Sequence, residues 1–212
     1  MLKIWDVSTR LYHWLQAFLF FALVISAYGG LGKELHQSFG LCLIVLLVWR
    51  IGWGLFGSET SRFSQFVRSP REVLRYLRGG ADSQVGHNSV GHNPVGALMV
   101  IVLVGSLFLQ GSIGLMLSDW VEGKALLGRS VIRTLGDIHE INALFLLSLS
   151  AIHIITILVY TAKGRNLVTP MVTGVIKIAE QVPQPKMVSS TRALAWLTCS
   201  VISIAGVIKL LS

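Results

Sequence analysis

Charge is scarce in this chain of 212 residues: 13% are Asp, Glu, Lys or Arg, against 53% hydrophobic. Ordinary soluble domains carry roughly 25% charged residues, so a water-soluble globule is excluded. Cysteine is nearly absent. Cys42 and Cys199 stand alone inside apolar runs, with no CxxC pair and no CxxCH. The first absence removes the common zinc and thiol-redox motifs, and the second removes a covalently attached c-type haem. Both cysteines read as small apolar fillers. Acidic residues are also few, ten against eighteen Lys and Arg, and none lies deep in an apolar run, which argues against a carboxylate-lined cation path.

What the chain has instead is apolar length. Leu11–Gly32, Pro94–Ser118 and Ile141–Ala162 carry no formal charge, Leu35–Gly57 carries only Arg50, and a fifth run covers Ala193–Ile208. About 20 apolar residues cross the ~30 Å hydrocarbon layer as a helix. An all-α, polytopic membrane protein with five transmembrane helices follows. The first run has a competing reading as a signal peptide, since Lys3 precedes it and Ile25–Ala27 mimics a cleavage site. Its length, its aromatic content and His13 favour a retained helix, because signal cores are plain apolar stretches of about 7–15 residues.

The basic residues give an orientation. With a cytoplasmic N-terminus, the inner segments are 1–10, 58–93 and 163–192. Together with Arg50 they hold thirteen of the eighteen Lys and Arg. Lys33, Lys124, Arg129, Arg133 and Lys209 remain outside, which satisfies the positive-inside rule. The net charge of +8 therefore reports topology and attraction to anionic lipid headgroups, and calls for no nucleic acid.

The long inner loop holds its own signals. In "SPREVLRYLRGG", Ser69 is an N-cap, Pro70 takes the first helical position and Glu72 completes a capping box, with Gly79 as the stop. Arg71, Arg75 and Arg78 share one face, while Val73, Leu74 and Leu77 make an apolar one. This predicts a short helix on the membrane surface. "TPMVTGVIKIAE" opens in the same way at Thr169 and Pro170 and predicts a second. A solvated basic loop is the alternative for each. "VGHNSVGHNPVG" carries His87 and His92, which have no spacing that assigns them a role beyond hydrogen bonding.

Four other histidines fall into register. His139 and His153 are fourteen residues apart in the fourth run, a separation of about 21 Å and four turns less roughly 40° on a helix. They share a face, one near each side of the membrane. His13 stands at the inner end of the first helix, and His36 at the outer start of the second. Topology thus pairs His13 with His153 inside and His36 with His139 outside. A lone histidine at a helix end is usually an interfacial residue, but intramembrane ionisable groups are costly and normally functional. Two stacked pairs of facing imidazoles suit two haems with bis-histidine ligation. One turn from each histidine toward the membrane centre lie Ala17, Gly40, Ala143 and Ser150, all small enough for close approach of a macrocycle. Arg50, fourteen residues after His36, is placed to pair with the propionates of the inner haem. Since His13 looks shallower than His153, the first helix is expected to begin before Leu11.

Taken with "WDVSTRLYHW", "ELHQSFG", "WRIGWGLFGS", "RFSQFVRSPREVLRYLRG", "GHNPVGA", "IHEINALF", "AIHIITIL" and "NLVTPMVTG", in that order from Trp5 to about Lys177, the chain resembles the prokaryotic cytochrome b561-like dihaem membrane cytochromes. That family includes b-type subunits related to those of nickel-iron hydrogenases and the superoxide-oxidising b561 proteins. The resemblance implies the same ligand pairs, His13/His153 and His36/His139, for two b-type haems. It also implies a four-helix haem-binding domain over residues 1–190, with 191–212 as a fifth helix to which no function is carried, in a bacterial cytoplasmic membrane. The expected function is electron transfer between the quinone pool and an outer-side partner, a cytochrome c or a dehydrogenase subunit, docking on Ser118–Gly136. The alternative is superoxide oxidation coupled to quinone. It would use Lys33, Arg129 and Arg133 as a cationic funnel, offset by Glu34, Asp137 and Glu140. A metal-ion transporter built on intramembrane histidines is the remote alternative, and whether the chain is itself an enzyme is left open.

Overall fold

The computed structural model describes residues 1–30, 32–78, 91, 93–122, 127–177 and 182–211. Among them are eight α-helices. Five are long and apolar enough to cross a membrane: α1 (Val7–Tyr28), α2 (Lys33–Phe56), α5 (Pro94–Leu117), α6 (Arg129–Ala162) and α8 (Ser190–Leu211). Three short ones, α3 (Phe63–Phe66), α4 (Pro70–Leu77) and α7 (Val168–Thr173), lie between them, together with a two-stranded antiparallel sheet of β1 (Leu2–Lys3) and β2 (Val175–Ile176). The protein is all-α and polytopic, as its composition requires.

Local signals set most boundaries. α1 does begin before Leu11, because Asp6 accepts from the Thr9 amide at 2.7 Å and caps it. Asn93 caps α5 through the Gly96 amide at 2.6 Å, and Pro94 occupies its first turn. The capping box at Ser69 and Glu72 forms on both sides. His87, His92, Gly79 and Lys124 lie outside the described residues.

Two expectations need correction. Much of the supposed outer loop Ser118–Gly136 is helix, since α6 starts at Arg129. Apolar length locates the part of a helix that crosses lipid, and the charged extension beyond it is helical without being apolar. The surface helix expected from Thr169 onward is also cut short. Gly174 takes a left-handed φ of 84° and ends α7, and the β-branched pair Val175–Ile176 then bonds to Leu2 and Lys3. The rest of that stretch, 178–180, lies outside the described residues.

α2 is the central element, packed against α1, α5 and α8, and α6 packs on α5. Leu19, Leu43, Leu47, Leu107 and Leu146 form a buried layer in mid-bundle, while exposed apolar side chains such as Phe18, Phe21, Ile141, Ile155 and Leu158 face outward, where lipid solvates them. α8 is held by α2. The Trp49 indole donates to the Ala193 carbonyl at 3.0 Å, and the Trp196 ring lies so close on Gly52 that a Cβ there would stand 1.6 Å from its Nε1.

The N-terminus, the 58–66 turn and the segments after α6 meet at one end. Besides the β1–β2 pairing, the Ile4 amide donates to the Gly174 carbonyl at 2.8 Å, the Glu59 amide to Lys186 at 2.9 Å, and Gln184 to Lys3 at 2.8 Å. A buried polar cluster sits beneath them. Asp6 accepts from Thr9 Oγ1 at 2.8 Å, and Thr9 Oγ1 and Ser61 Oγ are 2.7 Å apart. The Trp53 indole donates to Thr9 Oγ1 at 3.2 Å. At the opposite end, Lys33 Nζ pairs with Asp119 at 2.7 Å, and Asp119 also accepts from Gln37 at 3.2 Å.

Candidate haem sites

The structure brings His36 of α2 and His139 of α6 face to face, with ring centres 6.4 Å apart and planes at 75°. Two imidazoles binding one metal ion from opposite sides, each nitrogen about 2 Å from it, have ring centres roughly 6 Å apart. The separation therefore fits one iron between them. His36 Nδ1 is 3.0 Å from the hydroxyl of Ser26 on α1, which fixes the ring and leaves Nε2 for a ligand, the usual outer-shell device for a metal-bound imidazole. His139 has a buried Nδ1 with no partner among the described residues.

A cavity of about 420 Å³ opens between these rings, within the roughly 300–1,000 Å³ of small-molecule and cofactor pockets. Gly40 and Ala143 line it, and its floor is Leu43, Leu107 and Leu146. A Cβ on Gly40 would meet only Leu23, at 4.0 Å, so the protein atoms do not demand glycine there. The space it leaves belongs to the cavity.

At the other level are His13 of α1 and His153 of α6, close enough for the charge of His153 to act on His13. Both are half-buried, as are Ala17 and Ser150, and His13 Nδ1 is buried without a partner among the described residues. α1 is held at this level by main-chain carbonyls of α7. The Trp14 indole donates to Met171 at 3.3 Å, and Arg10 donates to Val172. Leu146, seven residues from either histidine of α6, is 1% exposed and separates the two levels.

Arg50 is 4% exposed. It donates to the Ser61 carbonyl at 3.2 Å, and its guanidinium lies 5.0 Å from the Phe63 ring centre and 5.9 Å from that of Tyr12. These protein partners, with Asp6 close by in charge, account for burying it. Outside the spans, Tyr76 of α4 meets Tyr160 near the C-terminal end of α6, and burial there pushes the Tyr76 phenol above the usual range, helped by the hydrogen bond to Tyr160.

Several site residues escaped the sequence reading. On α5, Gly111 and Gly114 line the cavity, and a Cβ at Gly114 would stand 3.0 Å from His139 Cε1. Their spacing within an uncharged run was the available signal. Asn142, 8% exposed, donates to Gln110 Oε1 at 2.7 Å and to the Ser106 carbonyl at 3.0 Å, and accepts from Ser106 Oγ at 2.6 Å. Gln110 then donates to the His139 carbonyl at 3.0 Å. Polar residues in an apolar run were visible, but their partners were not.

Five apolar spanning helices, with His36 and His139 facing each other across a cavity, define a polytopic membrane protein. The family model described as prokaryotic cytochrome b561 matches residues 4–174, and the chain belongs to that family. It is thus a bacterial membrane b-type cytochrome of electron transfer, with b-type haem as its cofactor. Neither the curated proteins nor the solved structures gave a match.

Proposed function

We propose that the chain is a dihaem conduit, with His36/His139 holding the outer haem and His13/His153 the inner one, passing electrons between the quinone pool and a redox partner outside the cytoplasm. The observation that carries this reading is the 6.4 Å facing of His36 and His139, and His153, fourteen residues further along α6 and near His13, supports a second site. Haem supplies one-electron carriage when bound. The paired histidines would hold each haem, the leucine layer would keep water from it, and Ser26 fixes the His36 ring. Residues 1–190 form the haem-binding unit and 191–212 the fifth helix.

The N-terminus is assigned to the cytoplasm. The three segments counted as inner meet at one end of the bundle, and they carry most of the basic residues. The outer partner, a cytochrome c or dehydrogenase subunit, then docks at the end bearing Asp119, Gln37 and the start of α6. Superoxide oxidation is the second reading, and one contact weighs against it: Lys33, a member of the expected cationic funnel, is neutralised by Asp119 at 2.7 Å. Against the transporter reading, no cluster of three metal-ligating side chains forms among the described residues.

The test is a dithionite-reduced spectrum with a pyridine haemochrome count on the purified protein. Two b-type haems per chain are expected. A count near one, or no reduced α-band, overturns the dihaem assignment. Stopped-flow mixing of the oxidised protein with superoxide separates the two electron-transfer readings: near-diffusional haem reduction supports the oxidase, and slow reduction the conduit.

A further inference from the structure

Arg71 and Arg75 on α4 and Arg78 at its C-cap follow one another at four- and three-residue spacing, and with Leu74 they line an open concavity of about 380 Å³. All three are exposed, and no acidic side chain pairs with them among the described residues. The nearby carboxylate, Glu72, is turned back to the Ser69 amide by the capping box. The opposite face of α4 is spent on packing: Val73 is buried and Tyr76 half-buried, with α5 as the neighbour. Leu74 and Leu77 border the arginine row and are 46% and 64% exposed.

We propose that this row is a binding site for the headgroup of an anionic phospholipid. Helix α4 follows a spanning helix and packs on the start of another, so it lies at the membrane surface. Leu74 and Leu77 then enter the acyl boundary while the guanidinium groups meet a phosphodiester at headgroup depth, the arrangement of an interfacial helix. Guanidinium forks are suited to phosphate oxygens. Three of them on one face, flanked by apolar side chains, favour a lipid over a free phosphate, which has no use for the leucines. The site is independent of haem stoichiometry and of the electron-transfer partner.

The experiment uses the purified full-length holoprotein in detergent. Its thermal midpoint is followed by haem absorbance on adding phosphatidylglycerol, phosphatidylcholine or inorganic phosphate. Phosphatidylglycerol alone is expected to raise the midpoint. R71Q/R75Q/R78Q should bind it on the order of 100-fold more weakly, whereas R129Q/R133Q, with charge removed from the other end of the bundle, should keep the shift. Equal protection by phosphatidylcholine or by inorganic phosphate overturns the lipid assignment, and an undiminished shift in the triple variant overturns the site. If the triple variant does not assemble with haem, Arg75→Gln alone carries the test. A roughly fivefold loss is expected, and no loss counts against the site.

Discussion

The α5 backbone at Gly114 forms one wall of the slot that holds His139: a methyl group there would sit 3.0 Å from the imidazole Cε1. An imidazole confined in this way is set by packing before any cofactor is bound, which is how a cofactor site gains precision. Gly114→Ala requires the ring to yield by only a few tenths of an ångström and should keep the outer haem. Gly114→Leu should displace the ring and lower the haem count toward one per chain. The pyridine haemochrome assay reads both, and full loading of the leucine variant would refute the confinement.

The two levels should be separable by mutation. His153→Ala removes one histidine of the proposed inner pair and should leave most of the proposed outer haem. His139→Ala should do the converse. Redox titration of each variant is expected to show one remaining midpoint, and a different one in the two cases. Loss of both haems in both variants would mean that the pairs are not independent.

Asn142 ties α6 to α5 through Ser106 and Gln110, and Gln110 in turn holds the His139 carbonyl. Removing one member of a buried network leaves its partners unsatisfied, at about 1–3 kcal/mol per group. Asn142→Leu should therefore destabilise the holoprotein by that order and shift the outer-haem potential while leaving the inner one in place. Thermal unfolding and a redox titration measure the two effects. A stability loss with both potentials unchanged would reduce Asn142 to a purely structural contact.

Gly52 and Trp196 should show strong coupling. Any side chain at 52 collides with the indole, so Gly52→Ala should loosen α8 and lower the thermal midpoint. Trp196→Ala makes room and should recover part of that loss. Neighbours of this kind deviate from additivity by about 0.5–3 kcal/mol, and a double-mutant cycle reads the deviation. Simple additivity would mean that α8 is not seated on α2 in the membrane.

Leu146 separates the histidine levels at 1% exposure. Leu146→Ala should cost about 2–5 kcal/mol through lost burial and the cavity left behind, with both haems retained. Its readout is the thermal midpoint alongside an unchanged haemochrome count.

Much of this protein is written in its sequence because a bilayer leaves little choice. Backbone groups in hydrocarbon must bond within their own helix, so run length set five spans, and the capping box at Ser69 set where α4 begins. The fourteen-residue interval on α6 set two levels, since helical rise is constant. Where boundaries lay in water the sequence was weaker. The charged extension of α6 and the β1–β2 pair depend on helix continuation and on a partner strand more than 170 positions away.

Sequence alone thus determined the class, the span number and the two levels that His139 and His153 occupy on one helix. Only the tertiary structure decided what those histidines meet. That Ser26 orients His36, that Gly114 confines His139, that Asn142 and Gln110 brace its backbone, and that Asp119 neutralises Lys33 all follow from how helices pack side by side. Helical periodicity is a property of one segment and can be read along the chain. A contact between segments depends on their rotation and spacing, which are settled jointly by every side chain at the interface.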